Sequence, residues 1–215
     1  MNALKQDVPQ AAVVGGSLVS FGSGLSSQDR QDIYMSNLFA QMATRSAYED
    51  GLVGNWFDYY RNQLRFLGWD TAKPIDLRPD RGLVMGDGAY KQISNTLGER
   101  FATPAGQALD SVRQNAKALG GFEGASLVRE RGFFQLLPCV AKGAGKIEIG
   151  LYHKQFKTRK TVSRFLFWSV DDVLETSVEQ MAIVTFSTVH YATYREKVAN
   201  ALVKHTTRLL HELEI

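Results

Sequence analysis

The sequence predicts an α+β fold: a helical N-terminal half packed on a four-stranded antiparallel meander, with a C-terminal helix. Three observations predict it. Apolar residues recur at helical spacing through residues 27–119. From Gly132 onward the pattern changes to runs rich in aromatic and β-branched residues with glycine turns between them. Helical spacing then returns over 188–213. Helices segregated from an antiparallel sheet define the α+β class. The expected organisation is a flexible or Gly/Ser-rich lead-in over 1–26 and one domain over 27–215, a length that suits a single substantial core.

Each element has its own signal. Ser26 with Asp29 makes a capping-box start, because the hydroxyl can accept a free helical N–H while the carboxylate reaches back to the helix entrance. Ile33, Tyr34, Leu38 and Met42 follow at helical spacing, which predicts a helix over 27–48. Asn55 caps a second helix, in which Trp56, Tyr60, Leu64 and Leu67 share one face until Gly68 ends it. Residues 69–88 hold Pro74, Pro79, Gly82, Gly86 and Gly88, a loop composition. A short helix fits 88–97. Thr103-Pro104 reads as a further helix start, with Gly120-Gly121 as its stop.

In the second half, FFQLLPCVA and KIEIGLYHKQF flank KGAGK, a hairpin with a three-residue Gly143-Ala144-Gly145 loop. TVSRFLFWSV supplies a third strand and 175–186 a fourth. Tyr194, Val198, Leu202, Leu209 and Leu213 predict the closing helix.

Composition excludes several classes. Hydrophobic residues make up 44% and charged residues 22%, values of a globular chain. A net charge of +3 names no partner. The start MNALKQDVPQAAVVGGSLVSFGSGLSS has neither the basic opening nor the compact apolar centre of a secretory signal, and no run reaches the roughly 18 apolar residues of a membrane span. The expected location is cytoplasmic or at a membrane periphery. No metal site is expected, since the four histidines form no i,i+4 helical pair and the single cysteine permits no Cys/His cluster. The glycine run at 15–24 lacks both the GK[ST] ending and the dinucleotide fingerprint, so no nucleotide cofactor is expected. No catalytic residue stands out, and no nucleic-acid partner is expected without a reading helix or aromatic platform.

Cys139 is the one distinctive group. Placing Lys142 opposite Lys146 pairs Cys139 with Ile149, Leu137 with Leu151 and Gln135 with His153. The cysteine then shares an apolar face with Leu137, Ile149 and Leu151, surroundings that raise a thiol's pKa and leave it inert. His153 falls two same-face positions away, roughly 13 Å, too far to act as a general base. Cys139 reads as packed core or as the attachment point of something equally greasy. The densest positive cluster is HKQFKTRKTVSR, with Lys154, Lys157, Arg159, Lys160 and Arg164. It reads as a solvated hairpin turn or as a surface for anionic lipid headgroups, each cation contributing on the order of 1 kcal/mol.

SLVSFGSGLSSQDRQDIYMSNLFAQMA, NWFDYYRNQLRFLGW, FFQLLPCVA and SRFLFWSV together resemble the layout of the Erwinia virulence factor-like bacterial proteins. That resemblance implies a non-enzymatic virulence-associated protein, a covalent palmitate in thioester linkage at Cys139, and peripheral membrane association. One acyl chain anchors only marginally, and the basic run would be the second signal. The alternatives are a soluble adaptor or immunity-type module that binds a protein partner and keeps Cys139 in its core, and a thiol-dependent enzyme.

Overall fold

The glycine-rich start of the chain folds into strands. In the computed structural model, which describes residues 10–78, 84–158, 164–167, 174–213 and 215, β1 (Ala11–Val14) and β2 (Ser17–Phe21) pair antiparallel across Gly15-Gly16. Gly15 takes φ +57°, and a Cβ there would lie 2.8 Å from the Gln41 carboxamide oxygen, so only glycine fits. Every residue of both strands is buried. Within the lead-in expected over 1–26, residues 11–14 and 17–21 are strands of the sheet. Strands covered on both faces need no polar alternation, and runs as short as AAVV and SLVSF carry little periodic signal.

Two capped helices follow. In α1 (Ser27–Glu49) the Ser26 hydroxyl accepts from Asp29 N–H while the Asp29 carboxylate accepts from Ser26 N–H. In α2 (Trp56–Phe66) the Asn55 side chain accepts from Asp58 N–H at 3.1 Å. Both match the helices expected from sequence. The stretch expected as loop contains β3 (Trp69–Thr71), β4 (Ile75–Leu77) and the start of α3 (Met85–Leu97). Next come α4 (Glu99–Gln114) and α5 (Ala116–Ser126). Pro104 lies inside α4 rather than at its start, and Gly120-Gly121 lie inside α5 rather than at a stop. The break falls at Asn115, whose side chain accepts from Ala118 N–H at 3.0 Å.

The strand-rich half holds β5 (Leu127–Val128), β6 (Arg131–Gly143), β7 (Lys146–Thr158) and β8 (Leu174–Ser187). It is followed by α6 (Thr188–Tyr191), α7 (Arg195–Leu202), α8 (Thr206–Leu209) and β9 (Leu210–Leu213). The sheet order is β3-β8-β7-β6-β2-β1-β9, with β4 also on β8 and β5 on β6. β2 and β6 run parallel, and the other pairs are antiparallel.

Two expectations fail here. The meander is β6-β7-β8, three strands rather than four, embedded in a larger mixed sheet. Of TVSRFLFWSV only residues 164–167 are described. They form a bend and turn that drives Phe165 and Leu166 into the core instead of pairing. The single closing helix is also corrected. Leu210–Leu213 pair with β1, where hydrogen bonding along an available edge overrides the helical spacing of the leucines.

Helices cover both faces of the sheet. On one face α1, α2, α6 and α7 pack over Val19, Phe21, Phe133, Leu137, Cys139, Ile149, Leu151 and Val184. On the other, α3, α4 and α5 pack over Leu18, Phe134, Leu136, Tyr152, Phe156 and Met181. Gly150 allows this second layer its close approach, since a Cβ there would lie 2.5 Å from Leu97. The hairpin register is the one expected up to Ala141, including Cys139 opposite Ile149 and Gln135 opposite His153. A bulge between Ala141 and Gly143 then shifts the pairing by one. The loop is consequently the two residues Ala144-Gly145, at φ +51° and +69°, as the twist of a two-residue hairpin demands.

Candidate functional site

Cys139, Leu137, Ile149 and Leu151 do come together, on one face of β6 and β7 beneath the α1–α2 layer. All four are fully buried. The Cys139 thiol donates to the Leu137 carbonyl oxygen at 3.2 Å, and burial pushes its pKa well above the ordinary thiol value. A neutral, solvent-excluded thiol is a poor nucleophile. Leu137, Ile149 and Leu151 are packed core rather than the walls of an open pocket.

The basic run does not assemble as expected. Lys154 is 7% exposed and its ammonium is ion-paired with Glu179, directly opposite on β8. It is removed from any anionic-surface set, because its place in the β7 alternation turns it into the second core. Arg159 and Lys160 lie outside the described residues. Arg164 is exposed, in the turn that Glu123 fixes by accepting from Arg164 N–H at 2.8 Å and Leu166 N–H at 3.0 Å. Lys157 is exposed and sits opposite Arg131 at the far end of the β6–β7 hairpin.

A polar seam that sequence reasoning missed runs between α1 and the sheet. Gly16 N–H donates to Gln41 Oε1 at 2.8 Å, and the Gln41 amide nitrogen lies 2.8 Å from the Val14 carbonyl, 3.0 Å from Ser17 Oγ and 3.2 Å from Asn37 Oδ1. Tyr60 OH donates to Asn37 Oδ1 at 2.7 Å. Ser17 Oγ donates to Gln135 Oε1 at 2.9 Å, and the Gln135 amide reaches His153 Nδ1 at 3.0 Å. An amide NH2 only donates, so Nδ1 accepts and the proton of the neutral ring is on Nε2, which has no partner among the described residues. The ring stacks on Phe57 at 4.1 Å between centroids, and burial lowers its pKa to about 3. Two signals in the sequence could have found the seam: Gln135 interrupts an otherwise apolar strand, and Asn37 and Gln41 stand four apart on the helix face that carries Ile33 and Tyr34.

Beside the seam, a cavity of about 50 Å³ is lined by Gly15, Gly16, Gln41, Trp56, Ser126 and Phe133 among others. Among the described residues no three His, Cys, Asp or Glu side chains are placed to hold a metal ion. No helix among them is long and apolar enough to cross a membrane.

No protein-family model matches the chain, and no curated protein matches it. Among solved structures, it is similar to a delta-endotoxin, at 12% identity and TM-score 0.46 over 87% of each chain. It is also similar to the Evf virulence factor, at 16% identity and TM-score 0.35, over 93% of this chain and 85% of that one. The resemblance read from the sequence has this weak structural likeness beside it and no support from any sequence family.

Proposed function

We propose that this is a non-enzymatic, membrane-acting protein whose β6–β7 hairpin engages the bilayer once the covering helices part. The observation that carries the reading is the hairpin itself. Its two 13-residue strands reach roughly 43 Å at the usual rise per residue, longer than a hydrocarbon core of about 30 Å. Lys142 and Lys146 flank the turn, Arg131 and Lys157 mark the opposite end, and 133–140 and 147–156 between them are predominantly apolar. Charged ends bracketing an apolar span suit a strand pair that crosses between two aqueous surfaces.

Gln135 and Lys154 inside that span find side-chain partners within the sheet, while His153 Nε2 has none among the described residues. Gln135 pairs with His153, and Lys154 pairs with Glu179 on β8, so strands moving together carry their partners with them. The seam under α1 is hydrogen-bonded rather than wholly apolar, so part of what holds that layer can be exchanged for water at modest net cost. Dye release tests the reading. Micromolar protein added to phosphatidylcholine vesicles containing phosphatidylserine should release trapped calcein. Intact vesicles with all protein left in the supernatant would contradict it.

A second reading keeps Cys139 as the site of a thioester-linked palmitate, favoured by its place among Leu137, Ile149 and Leu151. Burial of an acyl chain contributes about 0.8 kcal/mol per methylene, but this core would have to open to admit one. Intact mass of protein from its native host, before and after hydroxylamine, decides it. A palmitoyl increment lost on treatment supports the thioester, and an unmodified mass removes it.

A further inference from the structure

We propose that the groove formed by the β5–β6 turn and the end of β7 is a binding site for a phosphate-type anion. The groove encloses about 640 Å³ and is lined by Tyr48, Val53, Gly54, Val128, Arg129, Glu130, Arg131 and Lys157, which puts three cations against one carboxylate. The fold itself concentrates that charge. Val128 pairs with Arg131, so Arg129 and Glu130 form a two-residue turn, with Arg129 at φ +56°. Arg131 lies directly opposite Lys157 across β6 and β7, and Lys157 in turn sits opposite Glu175 on β8, so the cations that the turn itself contributes are Arg129 and Arg131. Among the described residues neither Arg129 nor Arg131 has an ion-pair or hydrogen-bond partner for its side chain.

Two guanidiniums can each present a planar pair of N–H donors to phosphate oxygens, and the Lys157 ammonium adds a point charge. Thr158 N–H donates to the Glu130 carbonyl at 2.7 Å, which ties the backbone of the turn to the β7 end. The apolar wall of Val53 and Val128 suits an organic phosphomonoester or phosphodiester. Tyr48, whose ring meets Phe133 edge-on at 5.2 Å, closes the inner side.

The ligand chemistry has two sources, a lipid headgroup or a free phosphate. The headgroup arm rests on the membrane reading above, and the free-phosphate arm does not. The site shares Lys157 with the basic run, but its other cations come from a turn that the run does not contain.

The test pairs calorimetric titration with glycerol phosphate against co-sedimentation with phosphatidylcholine vesicles carrying phosphatidic acid. It compares wild type with the exposed double variant Arg129→Gln/Arg131→Gln and with Lys117→Gln/Arg65→Gln as a charge-matched control. Wild type and control should bind, and the groove variant should lose about tenfold or more in affinity. Binding of glycerol phosphate that the variant loses assigns a phosphate ligand, and variant-sensitive binding seen only on vesicles assigns a headgroup. Equal binding by the groove variant and wild type, or no binding by wild type to either probe, overturns the site. Dye release that is indifferent to the groove variant sinks the headgroup arm while leaving the membrane reading standing. Phosphate binding without dye release does the reverse.

Discussion

At the scale of single residues, Cys139 and His153 share a face of the sheet and a common fate, because both are buried in the uncharged form. Iodoacetamide at neutral pH should label Cys139 only at the rate of unfolding, since the thiolate is disfavoured and the sulfur is inaccessible. Labelling that is complete within minutes in native buffer, and linear in reagent concentration, would show an open, reactive thiol. His153 makes stability depend on pH. Its folded pKa of about 3 lies below the ordinary 6.5, so the unfolded chain binds the proton more readily. The His153 contribution is complete above about pH 6.5 and is lost progressively as pH falls toward 3, by up to about 1.4 kcal/mol per pH unit. Urea midpoints measured between pH 7 and 4 should fall, and His153→Gln should flatten that slope. Parallel slopes for the two proteins would contradict the buried neutral ring. Much of this was legible beforehand. Period-two alternation placed Cys139 opposite Ile149 and Gln135 opposite His153, since a strand's faces follow from counting alone. The burial of Lys154 was not legible, because its partner Glu179 belongs to a strand whose register the hairpin does not determine.

At the scale of elements, α7 is fastened to α1 by charge. Arg195 makes a two-pronged contact with Asp32, Nε to Oδ1 at 2.8 Å and Nη2 to Oδ2 at 2.7 Å, and Asp32 is 1% exposed. Arg195→Ala leaves that carboxylate buried with the Gln28 amide as its remaining side-chain partner among the described residues, and should cost about 2–4 kcal/mol in a urea titration. A loss under half a kcal/mol would mean the pair is solvated. Gly150→Val probes the opposite layer. The added side chain collides with Leu97, so α3 and α4 must shift, at about 1–3 kcal/mol. Two of the helices with side-chain caps, α1 and α2, were readable from Ser26 and Asn55. β1 and β2 were not, because short strands buried on both faces have no alternation, and β9 was not, because its leucines also fit helical spacing and only its pairing with β1 makes it a strand.

At the scale of the whole molecule, a mixed sheet with long central strands is sealed by two helical layers. The layer over Cys139 rests on a seam of Gln41, Asn37, Ser17, Gln135 and His153 in addition to its apolar contacts. The sequence pattern showed that helices and strands segregate. It did not show that helices cover both faces, because the second face becomes visible only once β6 is seen to be buried on each side. The parting of a helical layer from the sheet is the central claim, and hydrogen exchange of the intact protein with and without anionic vesicles reads it directly. Amides of α1 and α2 should lose protection on vesicles while those of β6 and β7 keep theirs. An exchange pattern unchanged by vesicles, or equal loss of protection in helices and sheet, would contradict it.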